Sequence, residues 1–532
     1  MTDVRVGAGT AAVRTRPRRV VRAGAWFLGG LAAAAALFTC YLLQSRTVSV
    51  GSDGASQALQ AWDMLHGNLL LRGWWVTDFS IYTTELPQYA LIESVRGLSA
   101  DVMHVGGAMT YTLLVVFAAF LARGRARGRE GLIRAAVAGG VMLAPQLVAS
   151  GTLILSPDHT GTGVPVLAVL LFIDLAGTRW YVPVITGLAL AWVSFADPIT
   201  LFVAVIPLAL VYALRAMQGV VGPNRTALRA RRFELSMVVA ALVSIPLEIA
   251  AGRIIQKAGG FQVHGLHTAL ASTGMLAGNL RLTVRGLLEL FGADFFDAKS
   301  GLGVVFAVLH LVGLLAVICA FIVALRRFFR SDAIIEPVLV TGIVIDVAAY
   351  LVGVQAVNLL STREIALVLP LAAVLAGRIA GPWLASFRTA RVVPLLAVPL
   401  ACYAAMLGYN AAQPAAAPGY ANLAAWLSSH HFTYGLSGYS QANIVTAQTG
   451  GKVSLRPAVD DGRFVEGRLW NSSSSWFDPA QHSADFLVLS SVGSYQVSDR
   501  NAVATFGRPA QTYHYDDYTI LVWHENLLAR LR

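Results

Sequence analysis

The sequence predicts a mainly α-helical protein, in which a bundle of transmembrane helices is followed by a small α/β domain. The 532 residues are 56% hydrophobic and 13% charged, with a mean hydropathy of +0.62, whereas a typical soluble domain is about 25% charged. Apolar runs of about 17–25 residues, long enough to cross the hydrocarbon core, recur through residues 1–410. Polar sequence with short apolar runs then begins, which is typical of a soluble domain.

We predict about eleven transmembrane helices from these apolar runs. They are expected at residues 23–43, 104–121, 135–155, 164–175, 181–195, 199–214, 235–254, 302–325, 334–357, 365–375 and 392–408. The fourth, fifth, sixth and tenth runs are short for a helix that crosses the bilayer. The three cysteines all lie inside apolar runs, so the sequence predicts neither a disulfide nor a zinc site.

Arginine clusters beside alternate spans predict the orientation. They occur at residues 14–22, 123–129, 225–232 and 326–330. The positive-inside rule places these segments and the N-terminus in the cytoplasm, and an odd number of spans then places the C-terminus outside. This topology accounts for the formal charge of +11, so nucleic acid is not an expected partner. Arginine greatly outnumbers lysine, which indicates a GC-rich genome and hence a bacterial plasma membrane.

The polar segments between and after the spans define the predicted domains. Long external loops are expected at residues 46–103 and 256–300 of the membrane domain, which covers residues 1–410. An Ala/Pro-rich linker at 411–418 precedes an extracytoplasmic α/β domain at 419–532. This domain is expected to contain helices at 421–429 and 441–449 and strands at 452–455, 485–489 and 518–523. Its aromatic residues at 433–439 and 476–479 are predicted to build its core.

The first external loop contains the strongest candidate site. The first span ends in VGSDG (residues 50–54), and an amphipathic helix expected to lie along the membrane surface follows. The next segment reads YTTELPQY (residues 82–89). This loop resembles the first external loop of the GT-C glycosyltransferases, in which an acidic residue just after the first helix is catalytic. The ELPQY segment is similar to one in the protein-mannosyltransferase and aminoarabinose-transferase branch.

The resemblance implies an inverting transferase whose donor is a polyprenyl-phosphate-linked sugar and whose acceptor is a glycan, lipid or protein. Asp53 would be the general base, because a carboxylate can take the proton from an acceptor hydroxyl as it attacks the anomeric carbon. Glu85 would be the second catalytic residue and would organise the site. Tyr82 and Gln88 are further candidates for substrate binding. The alternative interpretation of Asp53 is a cap of the helix that follows it.

Two further external segments carry candidate residues. Asp158 and His159 lie in SPDHTGT (residues 156–162), and they would position the donor phosphate or join Asp53 and Glu85 around a divalent cation. The alternative is a Pro-Asp turn with a solvated histidine. Arg363 would bind the donor phosphate as it leaves, or else anchor the helix at the membrane surface. The segment is similar to the Arg-Tyr that opens a late helix in GT-C enzymes, although Glu364 replaces the aromatic residue.

Two other classes of function stay open on the sequence. Asp346 and Glu248 lie within predicted spans, where ionisable groups are costly, and they would couple ions in a transporter or flippase of lipid-linked sugars. Glu248 could instead pair with Arg253. Asp197, which precedes a proline, is best explained as an external turn, and the alternative is that it lines the site. The third class is a non-catalytic assembly or sensor protein whose C-terminal domain binds envelope glycan.

Overall fold

The computed structural model describes residues 16–155, 158–218, 225–265, 269–296, 301–330, 333–491 and 496–531. Helices form almost all of the chain up to residue 411. They are α1 (Arg16–Ser45), α2 (Ser52–Leu65), α3 (Glu85–Arg96), α4 (Asp101–Arg123), α5 (Gly128–Met142), α6 (Ser150–Leu153), α7 (Gly163–Ala176), α8 (Val182–Ala196), α9 (Ile206–Gln218), α10 (Arg225–Lys257), α11 (Thr273–Leu290), α12 (Gly301–Arg326), α13 (Ile335–Val352), α14 (Val368–Ser386) and α15 (Thr389–Ala411).

Among the described residues, eight helices are long and apolar enough to cross a membrane. They are α1, α4, α9 with the π-helical turn before it (Leu201–Val205), α10, α12, α13, α14 and α15. A ninth span results if α5 is counted with the short helical segment Leu147–Leu153, from which it is bent by 84°. The prediction of a multi-pass membrane protein is confirmed, whereas the count of about eleven spans is not. The two remaining predicted spans are the shorter apolar helices α7 and α8.

Three predicted spans differ in length from the helices. The third does not continue to residue 155, because α5 ends at Met142 and the chain turns at a segment that contains Pro145, where a continuing helix is disfavoured. The ninth ends earlier than predicted, at Val352. The tenth is longer than predicted, since α14 runs to Ser386 and includes Arg378. That arginine interrupts the apolar pattern, but its charge is neutralised by two carboxylates.

Close packing of α14 against α5 holds the middle of the bundle together. A Cβ atom on Gly377 would lie 2.4 Å from the backbone oxygen of Arg134, and one on Gly381 would lie 2.3 Å from its Cγ. These two glycines are four residues apart and therefore face the same neighbour, as in the small-xxx-small pattern of membrane helices. Larger residues at either position would push the two helices apart.

The C-terminal segment forms a mixed sheet flanked by helices. The helices are α16 (Ala421–Ser429), α17 (Tyr439–Gln448) and α18 (Asp499–Phe506), and the strands are β3 (Tyr434–Ser437), β4 (Ser454–Asp460), β5 (Val465–Gly467), β7 (Phe486–Ser490), β8 (Gln511–Tyr515) and β9 (Tyr518–Val522). The strand order is β5-β4-β3-β7-β9-β8, in which β3 runs parallel to β4 and β7. Sequence periodicity predicted three of these strands and missed the short or exposed β3, β5 and β8.

A second, three-stranded sheet ties the C-terminal domain to the two long loops at residues 46–103 and 256–300. It contains β1 (Trp74–Val76), β2 (Gln262–Val263) and β6 (Ser472–Ser473). Beside it, the rings of Trp74 and Trp476 make an edge-to-face contact with centroids 4.9 Å apart, and Trp476 is buried against the loops rather than in the core of its own domain. The C-terminal domain is therefore packed onto the loops rather than tethered by the linker alone.

The prediction that α2 lies along the membrane surface is wrong. Ala55 and Ala58 on its apolar side are fully buried, and Gln57 and Gln60 on its polar side are buried as well. Helix α3 covers one side, and α17 of the C-terminal domain covers another. An amphipathic pattern cannot distinguish a lipid surface from a protein partner that is distant in the chain, which is why the prediction failed.

Candidate functional site

Charged side chains from four segments of the chain meet where the C-terminal domain packs on the helix bundle. We call this side of the bundle the domain end, and it carries α2, α3 and the C-terminal domain. The charged side chains form what we call the ionic cluster, and each lies within or beside the end of a helix. Its members are Asp53 on α2, Asp158 and His159 before α7, Asp197 after α8, and Arg363 and Glu364 on the 3-10 helix Leu359–Ile365 before α14.

His159 is the centre of the cluster. Its Nδ1 lies 2.8 Å from Asp197 Oδ2 and its Nε2 lies 3.0 Å from Glu364 Oε2. Burial alone would lower the pKa of the imidazole, but the two carboxylates outweigh burial and raise the pKa well above its usual value. The ring is therefore an imidazolium that donates from both nitrogens. The alternative of a solvated histidine on a free turn is wrong, because His159 is 5% exposed.

Asp197 is held by more than the histidine. The Thr162 hydroxyl donates to Asp197 Oδ2 at 2.6 Å, and the Ile199 backbone N–H donates to Oδ1 at 3.0 Å. Burial would raise the pKa of Asp197, but His159 and these hydrogen bonds lower it. Asp197 is thus a fully buried carboxylate with fixed orientation, rather than only the external turn predicted from the following proline.

Arg363 presents a cation beside His159. Its Nη1 lies 2.7 Å from Asp158 Oδ2, and its side chain is 39% exposed whereas that of Asp158 is 6% exposed. Burial raises the pKa of Asp158 to about 6, although the Arg363 guanidinium acts in the opposite direction. The 3-10 helix that carries Arg363 is fixed by the Asn358 side chain, which accepts a hydrogen bond from the Ser361 backbone N–H at 3.1 Å.

Asp53 is oriented by the C-terminal domain. It lies in the first turn of α2, where Gly51 is the N-cap residue and no side chain caps the helix. The carboxylate instead accepts hydrogen bonds from the Tyr439 hydroxyl and, at 3.4 Å, from Asn471 Nδ2. The helix-cap interpretation is therefore not supported by the contacts. Asp53 is half-buried, and its charge acts on both Asp158 and Arg363.

Asn471 is itself fixed to α2. The Ser56 hydroxyl donates to the Asn471 backbone oxygen at 2.5 Å, and Gln60 Nε2 donates to its side-chain oxygen at 3.2 Å. The buried polar face of α2 thus has the function of holding the domain that orients Asp53. Tyr439 and Asn471 were not predicted as site residues, and only the aromatic character of residues 433–439 gave a signal.

Glu85 lies behind the loop that carries Asp158 and His159. It is 4% exposed, and a Cβ atom on Gly161 would lie 1.7 Å from Glu85 Oε1. Burial raises the pKa of Glu85 to about 8, so the carboxyl group is mostly protonated at neutral pH, and the Thr84 hydroxyl bonds to it. Glu85 therefore supports the loop and has no exposed oxygen for a substrate.

Tyr82 and Gln88 are not brought to the cluster. The Tyr82 hydroxyl donates to the Leu69 backbone oxygen at 2.7 Å, and its ring packs against Phe195 and Phe261. Gln88 Nε2 donates to the Gly106 backbone oxygen at 2.8 Å and thereby joins α3 to α4. Both side chains are used for packing in the structure.

A cleft of about 410 Å³ opens beside the cluster. His159, Asp197 and Glu364 form one side of it, and Asp78 and Asp346 extend the acidic surface. The other walls are apolar. They include Ile199, Phe202, Leu270, Ala349, Val352 and Val354. Asp78 was not predicted, since nothing in its local sequence distinguishes it from an ordinary loop aspartate.

The described residues contain no group of three or more His, Cys, Asp or Glu side chains arranged to hold a metal ion. Of the four candidate ligands, His159 has both nitrogens bonded to carboxylates, and Asp158 is paired with Arg363. Glu85 is buried and Asp53 is bonded to the C-terminal domain. The residues that are present do not fit a divalent cation in this arrangement. Nor do the described residues contain an ion pair between Glu248 and Arg253.

The cluster combines a partly accessible carboxylate, a partly exposed guanidinium and a cleft that is acidic on one side and apolar on the others. A carboxylate of this kind can accept a proton from a nucleophile, and a guanidinium can neutralise charge on a phosphate. An apolar wall can accommodate a lipid chain.

The comparisons with known proteins identify no family for this chain. No protein-family model matches it, and no curated protein is significantly similar to it.

Proposed function

We propose that the protein is a membrane glycosyltransferase that transfers a sugar from a polyprenyl-phosphate-linked donor to an acceptor of the cell envelope. The observation that supports this most directly is the electrostatic effect of Asp53 on Arg363, two residues from opposite parts of the chain. Glu364, the neighbour of Arg363, lines the apolar cleft. A base, an anion-binding group and an apolar wall are the three elements that this reaction requires.

The reaction follows from these positions. The acceptor hydroxyl attacks the anomeric carbon while Asp53 accepts its proton, and the bond between that carbon and the phosphate oxygen breaks with inversion. Polyprenyl phosphate leaves with an added negative charge. One nitrogen of Arg363 binds Asp158. Because a guanidinium has five N–H donors, its other donors can face the leaving phosphate.

The remaining charged residues position these two. His159 and Asp197 fix Glu364, the neighbour of Arg363, and Glu85 supports the loop that carries Asp158. Tyr439 and Asn471 orient Asp53. The C-terminal domain is then part of the transferase, because without it the proposed base would lose both of its hydrogen-bond donors.

The contacts also support eleven crossings, with the domain end on the outer face. Gln44 near the end of α1 and Asn410 near the end of α15 both donate to the Pro145 backbone oxygen at 2.9 Å. The two helices therefore end on the same side, and the number of crossings from α1 to α15 is odd. A total of eight spans, which is an even number, does not satisfy this condition.

The short helix α7 also connects the two ends of the bundle. Thr162 at its start bonds to Asp197 at the domain end, whereas Asp174 near its end bonds to Arg378 beside the end of α4. Since α7 ends far from the domain end, α8 must return to it, where Ala196 precedes Asp197. Counting α5, α7 and α8 as spans in addition to the eight long helices gives eleven spans.

A reporter fused after Arg532 should be active only outside the cytoplasm, and cytoplasmic activity would overturn this topology.

A transporter of lipid-linked sugars is the second candidate, because Asp346 of α13 lines the same cleft. The test that separates the two is transfer of labelled sugar from a polyprenyl-phosphate donor by purified protein, with Asp53→Asn and Asp346→Asn as the variants. Loss of the Asp53 base should lower the rate by about 10²–10⁴-fold. The Asn side chain keeps the size of Asp53, so thermal stability should be nearly unchanged.

Asp346→Asn is the informative comparison. A transporter would move the lipid-linked sugar across vesicle membranes without consuming it, and Asp346→Asn would abolish that movement. Transfer by the wild type that is lost in Asp53→Asn supports the transferase. Normal transfer by Asp53→Asn, or flipping without transfer by the wild type, would refute it.

A further inference from the structure

A cavity of about 740 Å³ lies away from the domain end, between α5, α12, α13 and α14. We call this side the arginine-rich end, because α4 and α12 end there in arginines. We propose that this cavity binds an anionic phospholipid, with an acyl chain inside the cavity and the phosphate at its arginine-lined rim. This inference does not depend on the reaction proposed above.

The inner wall of the cavity is apolar and made of small side chains. It includes Ala316, Cys319, Ala320, Val323, Ala324 and Ala380. Cys319 is exposed, and Trp383 at the edge of the cavity is 61% exposed. Both lie on helices that are apolar enough to span a membrane, so these surfaces face lipid rather than water. The volume lies within the range of about 300–1,000 Å³ typical of ligand pockets.

The rim carries two arginines with unused donors. Arg134 pairs with Glu130 through Nη2 at 2.6 Å, but its Nε is buried and has no hydrogen-bond acceptor among the described residues. Arg327 is exposed and makes no ion pair with any residue that the structure describes. A buried donor without an acceptor is costly, so an acceptor supplied by a ligand would satisfy it.

The third arginine of the cavity is not available in the same way. Arg378 binds Glu336 through Nε at 2.7 Å and Asp174 through Nη1 at 3.0 Å. Among the described residues, Arg327 is therefore the rim cation without a carboxylate partner, and Arg134 adds the donor that its pairing with Glu130 leaves unused. An apolar interior with a cationic rim matches a lipid that has an anionic headgroup, and basic pockets between transmembrane helices bind such headgroups.

Native mass spectrometry of the purified full-length protein with added phosphatidylglycerol tests the proposal. Arg327→Gln and Arg134→Gln remove one rim charge each, and each should lower lipid retention roughly fivefold, since one cation near the headgroup contributes about that much. Arg391→Gln is the matched control, because Arg391 is exposed near the start of α15 and does not line the cavity. Cys319→Trp should lower retention of every lipid by filling the apolar interior.

The headgroup and the source of the phosphate are tested in parallel. Phosphatidylcholine has the same acyl chains without net charge and should be retained more weakly, and inorganic phosphate should not compete at equal concentration. Equal retention of phosphatidylglycerol by the wild type and both rim variants would overturn the proposal. So would equal effects of the Arg327 and Arg391 substitutions, because that result would assign lipid attraction to general surface charge.

Discussion

The bundle has two centres in which an arginine binds carboxylates, and they differ in how fully the arginine is paired. At the arginine-rich end, Arg378 is 6% exposed and binds Asp174, Glu336 and the Leu121 backbone oxygen within 2.7–3.0 Å. At the domain end, Arg363 is 39% exposed and contacts one carboxylate, Asp158. The first centre is closed by partners from other helices, whereas the second leaves donor groups facing the surface.

This difference separates a structural role from a binding role. A buried arginine with two carboxylates has no capacity left for a ligand, and its removal leaves unpaired buried charges. An arginine that is partly exposed, paired with one carboxylate and influenced by the charges of others, here Asp53, Glu364 and Asp78, is held in place without being saturated. Charge alone would not distinguish the two residues, but their numbers of partners do.

The largest expected effect comes from substituting the arginine of each centre and comparing the two variants in the same assay. Arg363→Lys keeps the charge but loses the forked donors, and we expect sugar transfer to fall by about 10²-fold with thermal stability unchanged. Arg378→Gln should instead cost about 3–5 kcal/mol of stability, because Asp174 and Glu336 lose their cation. Activity per folded molecule should remain normal in that variant.

Transfer assays and thermal unfolding of both variants provide the measurement. The comparison fails if Arg363→Lys is less stable but fully active when folded, since Arg363 would then be a second structural centre. It also fails if Arg378→Gln is stable and inactive.

A smaller effect is expected at the contact between the C-terminal domain and the base. Tyr439→Phe removes the hydroxyl that donates to Asp53 and keeps the packing of the ring. A hydrogen bond to a charged group contributes about 1.5–3 kcal/mol, so we expect at least a tenfold loss of kcat with KM for the donor nearly unchanged. Tyr434→Phe is the matched control, because that hydroxyl binds the Trp476 backbone oxygen instead. Equal losses in the two variants would mean that both tyrosines only stabilise the domain.

Much of the fold could be predicted from the sequence, because apolar runs and arginine clusters are local signals. All eleven predicted spans coincide with helices, and α16 has the predicted bounds, Ala421–Ser429. The boundaries of α14 were missed because Arg378 looks too polar for a span. Its neutralisation by Asp174 and Glu336 depends on helices that are distant in sequence and cannot be read locally.

The site was predictable only in part, for a related reason. Asp53, Asp158, His159 and Arg363 were identified because each stands at an end of a predicted span on one side, and the structure brings them together. Asp197 was assigned to a turn, because a following proline is the stronger local signal. The hydrogen bond of Tyr439 to Asp53 could not be predicted, since it joins residues 386 positions apart.

The last prediction concerns the pH dependence of stability rather than catalysis, and it tests the supporting role of Glu85. The pKa of this carboxyl group is raised from 4.5 to about 8 by burial. Between these values the unfolded chain releases the proton and the folded protein keeps it, so rising pH favours unfolding by at most about 1.4 kcal/mol per pH unit.

Glu85→Gln cannot ionise in either state and keeps the size of the side chain. The melting temperature of this variant relative to wild type should therefore increase steadily from pH 5 to pH 8. Glu466→Gln, the same substitution on β5 of the C-terminal domain, is the control. A constant difference across this range would mean that Glu85 is ionised in the folded protein, and it would then be available as a second carboxylate of the site.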